Sequence, residues 1–443
     1  MTTNIFQARW FNISFLMFIL IQPFLDLLTS LSLRLTGSDF TLGILIRLSF
    51  IFIGGLYLLL NKDNPYRKGQ FIYLSILFVF LVINFTISYL NKPSFLLVVE
   101  IKYILKVLYI IVSLFIYSVV LRTLQKQFWI EKTVLYIVAS MTVLGLVMVV
   151  SSLTGTAFES YEGGKMGHVG WFYAGNEMGA IVSIGFPLVL MAALKKSNLF
   201  WIPVLLCIYT LLSIGTKVGY GTILIVLSVG LVFYSIDFIR NKKLSTKYSM
   251  KNIYILLAII VGVIIYTPYS PVAHNMNMHM SWLGVGNSGE NGENPEDELE
   301  ENDVTDEQVD SLIYSGRDQY LETYQNYFKA APSSQKLFGM GYAGNYKKEA
   351  KMIEMDFHDI FYSFGYIGMI IFLLPIGFYI YKIAKLTLSR LKIHLNFENI
   401  LIVLGIALGL AISFVAGHVL TAPGVSIYLA LLISYLTSKL ETN

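Results

Sequence analysis

The sequence predicts an all-α, polytopic membrane protein: a bundle of about twelve spans with one large extracytoplasmic loop carrying short amphipathic helices. Three observations predict it. Of 443 residues, 56% are hydrophobic and 14% charged, against nearer 25% charged in a soluble domain. Apolar runs long enough to cross a bilayer recur along the whole chain. Every second connector is rich in Lys and Arg, the asymmetry that orients membrane spans.

Twelve spans can be drawn in order: Phe11–Leu33, Phe40–Leu60, Phe71–Leu90, Phe95–Leu121, Thr133–Ser152, Trp171–Leu194, Leu199–Ile214, Val218–Ile236, Ile253–Tyr269, Phe357–Ile383, Ile400–His418 and Gly424–Leu440. The first is too long for the apolar region of a signal peptide and lacks a small-residue cleavage site, so it reads as a span. Residues 1–269 thus form a bundle of about nine spans, 270–355 a loop, and 356–443 a bundle of about three. One set of connectors carries Lys62, Arg67 and Lys68, then Arg122, Lys126 and Lys132, then Lys195 and Lys196, then Arg240 to Lys251, then Lys382 to Lys392. The opposite short connectors hold only Arg34, Lys92, Lys165 and Lys217. Both termini are therefore expected on the cytoplasmic side of the cytoplasmic membrane, and the 270–355 loop outside it. The net charge of +4 sits in short loops beside spans and does not point to nucleic acid. The single cysteine, Cys207, excludes an intrachain disulfide and reads as a small buried hydrophobe.

The loop begins with an acidic stretch. Glu290–Asp310 holds eleven carboxylates and no Lys or Arg, which reads as a solvated tip, with 284–310 expected to be disordered. From Asp310 to Lys329 apolar and aromatic residues recur at helical spacing, with Asp310 or Ser311 as a candidate cap. An amphipathic helix lying over the outer mouth of the bundle is expected there. The Gly-rich turn Phe338–Gly344 lacks the Lys-Ser/Thr ending of a phosphate loop, so nucleotide binding is not expected.

Charged and polar groups at span mouths are the candidates for chemistry, since ionisable groups in spans face cavities or partners. Glu100 and Lys102 point about 200° apart on a helix and do not pair with each other. Lys102 and Lys106 are neighbours that either snorkel or hold an anionic lipid group. An Asn176–Glu177 pair opens the sixth span, preceded by Lys165 and His168 in an outer loop. Either it is a helix-packing hydrogen bond or it faces a substrate. Lys217 follows the sharp Ser213–Thr216 turn, whose free N–H groups and charge suit a phosphate. Arg317 offers a planar fork for bidentate phosphate contact, unless it is only a surface ion pair with Asp318 or Glu322. His358 opens the tenth span, with Phe361, Tyr362 and Gly365 on its face, and Gly365 and Gly368 leaving room for a cavity. Asp356 and Asp359 flank it and can orient the imidazole or raise its pKa. Too few further ligands accompany Asp356, His358 and Asp359 to complete a metal site, so no metal is expected.

Four pieces together resemble the O-antigen ligase and polymerase family. They are Gly170-Trp171-Phe172 with Asn176-Glu177; the Gly215-Thr216-Lys217 turn; Ser315-Gly316-Arg317; and Gly339-Met340-Gly341-Tyr342 followed by Asp356-Phe357-His358-Asp359 and Phe364-Gly365-Tyr366-Ile367-Gly368. The resemblance covers most of the chain. It departs where the family usually has Arg before the Gly-x-Phe element, here Val169, and Ser-Arg at the turn, here Thr216-Lys217. The resemblance implies a glycosyltransferase whose donor is a glycan on undecaprenyl diphosphate and whose acceptor is a glycan or lipid hydroxyl. It implies no cofactor, inversion at the anomeric carbon, and a flippase and a chain-length regulator as partners. Arg317 and His358 would be catalytic, with His358 taking the acceptor proton or positioning the hydroxyl. Lys217 and Arg317, with Lys165 or His168, would neutralise the diphosphate, and Asn176, Glu177, Asp356 and Asp359 would complete the substrate-binding set. Tyr320, Tyr324 and Tyr327 either stack on sugars or pack onto the bundle. Polymerisation of lipid-linked repeat units is the leading expectation; ligation of a finished glycan and transport are the alternatives.

Overall fold

A backbone in hydrocarbon must satisfy its hydrogen bonds within itself, and this chain does so with helices throughout. The structure, a computed structural model, describes residues 5–37, 41–161, 165–241, 248–282, 317–347 and 350–442. The acidic run Glu290–Asp310, the Asp310 and Ser311 cap and Ser315-Gly316 lie outside the described residues.

Among the described residues nine apolar helices precede the loop: α1 (Arg9–Thr36), α2 (Leu42–Leu60), α3 (Arg67–Asn91), α4 (Leu97–Lys126), α5 (Thr133–Leu153), α6 (Gly175–Lys195), α7 (Trp201–Ile214), α8 (Lys217–Asn241) and α9 (Met250–Tyr266). The loop holds α10 (Pro271–Trp282), α11 (Arg317–Ala330) and the single-turn α12 (Ser333–Phe338). After it come α13 (Asp356–Ser389), α14 (Leu391–His394), α15 (Phe397–Val415) and α16 (Pro423–Thr442). Among the described residues, eleven helices are long and apolar enough to cross a membrane; the protein is a polytopic helical membrane protein. The twelfth expected span, Leu199–Ile214, is a three-residue 3-10 turn, Asn198–Phe200, running into the 14-residue α7; it is an apolar helix shorter than the other eleven, and it returns the chain from the end of α6 to the start of α8. Cys207 is buried within α7.

The bundle is organised around α6, whose central residues are almost all buried, and α16, which runs along α4. Close approach of α15 to α6 depends on Gly405 and Gly409. A Cβ at Gly405 would meet the Ile184 carbonyl at 2.7 Å, and one at Gly409 the Ile184 side chain at 3.1 Å. This is small-x-x-x-small packing, which brings helices together where lipid offers no hydrophobic drive.

Buried charges tie the loop to the bundle. Glu100 on α4 pairs with Lys92, the residue closing α3. Lys92 Nζ also donates to the Tyr342 carbonyl at 2.6 Å, and the Tyr342 amide donates to Glu100 at 2.8 Å. The Gly-rich turn after α12 is thereby pinned between α3 and α4. It also pairs with α13, where Met340 N reaches the Tyr362 carbonyl at 2.9 Å and Gly341 N the Ser363 carbonyl at 3.0 Å. Gly365 breaks α13 at this contact, with φ 68° and ψ −171°. Its absent Cβ would lie 2.6 Å from Gly339 N. The room expected beside Gly365 and Gly368 for a cavity is therefore filled. The Gly-rich turn occupies the first, and Phe80 and Phe364 crowd the second.

Candidate active site

The residues expected to carry chemistry lie on separate segments, and local structure decides which of them meet. The loop before α6 folds back as a short hairpin, with Phe158 N bonded to Gly170 O at 2.7 Å and Ser160 N to Gly167 O at 3.0 Å. Asn275 on α10 clamps this hairpin to the α7–α8 turn. Its side chain accepts from Met166 N at 2.7 Å and donates to Met166 O at 2.7 Å and Gly215 O at 3.0 Å. Gly215 turns the chain with φ 78°. Thr216 Oγ1 then accepts from Gly219 N at 3.0 Å, capping α8 directly before Lys217 begins it. Lys165 and Lys217 are thereby brought to the same place.

The opposite wall is α11. Tyr324 and Phe328 face inward, packing on Tyr362 at 5.7 and 5.4 Å between ring centres. Tyr324 Oη also donates to the Lys351 carbonyl at 2.7 Å. Packing onto the bundle is thus the role of Tyr324, whereas Tyr320 lines the cavity. Lys351 Nζ donates to Tyr320 Oη at 2.8 Å and lies 4.1 Å from the ring centre.

Between these walls is a cavity of about 310 Å³ at the loop end of the bundle. Lys165, Asn176, Lys217 and Arg317 line it together with Tyr161, Thr216, Asn275, Tyr320, Lys351, Glu354 and Gly417. Four of the nine expected site residues therefore share one cavity. The first turns of α6 and α8 both open into it, adding the positive ends of two helices to four cationic side chains. Among the described residues that line it, Glu354 is the one carboxylate. Arg317 Nη2 lies 3.5 Å and His418 Nε2 3.7 Å from Glu354 Oε2. The His418 cation holds the Glu354 carboxyl below the usual range against the opposing effect of burial, with Arg317 and Lys351 adding to it. Burial opposes charge on His418, yet Glu354, Glu177 and Asp356 together raise its pKa. Glu177 thus acts on the site from α6 through its field.

The remaining expected residues are placed differently. His168 does not line the cavity; its ring lies near Tyr209 Oη at 3.4 Å, and burial lowers its pKa. His358 also lies outside the lining, with its ring against Phe414 of α15 at 6.0 Å. Asp356 and Asp359 do not orient it. Asp356 accepts from Val419 N at 2.8 Å, Leu420 N at 2.7 Å and Thr421 Oγ1 at 2.6 Å. Asp359 accepts from Ile353 N at 2.9 Å and Met355 N at 3.1 Å. Both carboxylates are spent on backbone N–H groups that would otherwise be buried unsatisfied, because helix α13 starts under two folded-back loops. Among the described residues no group of three His, Cys, Asp or Glu could hold a metal ion.

Sequence reasoning missed Lys351, Glu354 and His418. His418 carried a usable signal, since it closes a predicted span at the same mouth as His358. Lys351 and Glu354 carried none that separates them from an ordinary polar connector.

Residues 8–443 match the family model described as O-antigen ligase like membrane protein. No curated protein matches the chain.

Proposed function

For this chain, which belongs to the O-antigen ligase-like membrane protein family, we propose a glycosyltransferase that extends a surface polysaccharide from lipid-diphosphate-linked repeat units. The observation that carries the reading is the cavity lined by Lys165, Lys217, Arg317 and Lys351 with one carboxylate. Such a basic, partly desolvated pocket suits a diphosphate, and its position at the end of a membrane bundle suits one carried on an isoprenoid tail. The Lys and Arg pattern of the connectors supports an orientation with that end outside the cytoplasmic membrane.

The chemistry follows from the charges. Attack of an acceptor hydroxyl on the anomeric carbon expels the lipid diphosphate, on which negative charge grows. Cations already fixed around that position stabilise the growing charge without reorganising. Arg317 supplies a fork for two phosphate oxygens, and the lysines supply point charges. Asn176 adds a neutral donor on the α6 side. Attack opposite the leaving group gives inversion. The donor is already activated, so the reaction needs no nucleotide sugar. His358, against Phe414, supports the end of α15 that forms the cavity wall, so its part is to position that wall and the acceptor beside it. In the cell, a flippase delivers the donor and a chain-length regulator limits the product.

A second reading is ligation of a finished glycan to a lipid, wall or protein acceptor, favoured by the description of the matching family. The two share a donor and differ in product. Purified protein in liposomes, given lipid-linked single repeat units, should yield a ladder of longer lipid-linked chains. Transfer of intact chains to an added acceptor, with no ladder, favours ligation. Movement of the donor across the bilayer without any transfer rejects both in favour of transport.

A further inference from the structure

We propose that Glu354 accepts the proton of the attacking hydroxyl and that His418 is the residue that positions it. This assignment rests on the glycosyl-transfer reading above.

Left-handed backbone is strained for any residue with a side chain and collects at functional sites. Among the described residues only Phe128, Ala343, Glu354 and His418 adopt it outside glycine. Two of these four face each other: Glu354 has φ 65° and His418 φ 60°, and their side chains form the 3.7 Å pair at the cavity. The surrounding contacts impose both conformations. Asp359 fixes the backbone at Ile353 and Met355, on either side of Glu354. Asp356 fixes Val419 and Leu420, immediately after His418. Gly417, with φ 63°, lets the two segments touch, since a Cβ there would lie 2.4 Å from the Glu354 carbonyl. Two buried carboxylates and a glycine thus aim one further carboxylate into a cavity whose other charged lining groups, among the described residues, are cations.

Diphosphate binding requires no carboxylate there; a proton acceptor does. In the transfer, the acceptor oxygen bonds to the anomeric carbon. The bond from that carbon to the phosphate oxygen breaks, and its electron pair leaves on the lipid diphosphate. The hydroxyl proton goes to Glu354, which returns it to water as product leaves. The charges around Glu354 also give the step an order. Glu354 faces His418, Arg317, Lys351 and, across the cavity, Lys165 and Lys217, with Glu177 and Asp356 behind His418. Arrival of the diphosphate draws Arg317 and the lysines onto phosphate oxygens and adds negative charge. Both changes strengthen Glu354 as a base only once donor is bound. The competing view makes Glu354 a counter-ion that merely holds Arg317 and His418 in place.

The test uses full-length protein in liposomes with a lipid-linked repeat unit as donor, and separately measures binding of a fluorescent lipid diphosphate. Glu354→Gln should bind the probe within about threefold of the parent while kcat falls by roughly 10²- to 10⁴-fold, the usual worth of a general base. Formate should restore part of the rate to Glu354→Ala. His418→Gln should move the acid limb of the pH–rate profile to higher pH, because the largest influence holding Glu354 ionised is gone. Glu354→Gln turning over within about threefold of an active parent overturns the assignment and leaves the glycosyl-transfer reading standing. So does a rate loss matched by an equal loss of probe binding without formate rescue. A parent that transfers from no lipid-diphosphate donor overturns the reading and this assignment with it.

Discussion

Replacing Arg317 by alanine removes, among the described lining residues, the only guanidinium from a cavity that also holds three lysines. A hydrogen bond to a charged partner contributes about 1.5–3 kcal/mol. The Arg317 side chain is only 14% exposed, so solvent screening discounts little of this. Its fork can reach two oxygens of one diphosphate, and those contacts strengthen as charge moves onto the leaving group. A loss of about 3 kcal/mol of transition-state stabilisation corresponds to roughly a 10²-fold fall in kcat/KM. Arg317→Lys keeps the charge but not the fork, and should fall by roughly tenfold. The assay is the initial rate of chain extension in liposomes, with donor concentration varied to separate kcat from KM. Rates for Arg317→Ala within about threefold of the parent would refute the reasoning, because an unused guanidinium is the one circumstance in which its removal is free.

Further outcomes follow from the same geometry. Gly417→Ala forces a side chain into the left-handed region and against the Glu354 carbonyl at 2.4 Å; a loss of about 1–3 kcal/mol is expected, seen as a lowered Tm in detergent together with lost transfer. Asn275→Ala removes three hydrogen bonds that hold Met166 and Gly215; KM for the donor should rise, and hydrogen exchange at the Met166 amide should quicken. The pH dependence of stability has a defined sign. His418, whose pKa is raised in the fold, contributes stability that is full below its unfolded value of about 6.5 and lost as pH rises through the higher folded one. Glu354, whose pKa is lowered, contributes stability present above its ordinary value and lost as pH falls through the folded one. Thermal melts should therefore show a maximum between those two folded values, and His418→Gln should flatten its alkaline side.

The helical spans were legible because bilayer thickness acts on runs of residues contiguous in the sequence. Span ends such as Leu60 and Ile214 are where the helices stop. The site was legible in part. Lys217 and Arg317 were found by asking which cations stand at span mouths, and both line the cavity. The roles of Asp356 and Asp359 were not legible. Their carboxylates face backbone amides of segments brought close only by folding, Val419 and Leu420 being more than sixty positions from Asp356. Nor could His358 be separated from His418. Both stand at the same mouth, and only the left-handed turn after Gly417 decides which imidazole meets the cavity carboxylate. Glu354 illustrates the limit most directly, since nothing in its sequence neighbourhood announces a positive φ.

The central expectation is that the cavity acts on a lipid diphosphate that carries sugar. Purified protein in liposomes, supplied with one defined lipid-linked repeat unit, should release free lipid diphosphate in step with growth of a glycan ladder. One diphosphate should appear for each glycosidic bond formed, and Arg317→Ala should suppress both together. Passage of the donor across the membrane with neither ladder nor released diphosphate, or a ladder that Arg317→Ala leaves intact, would contradict it.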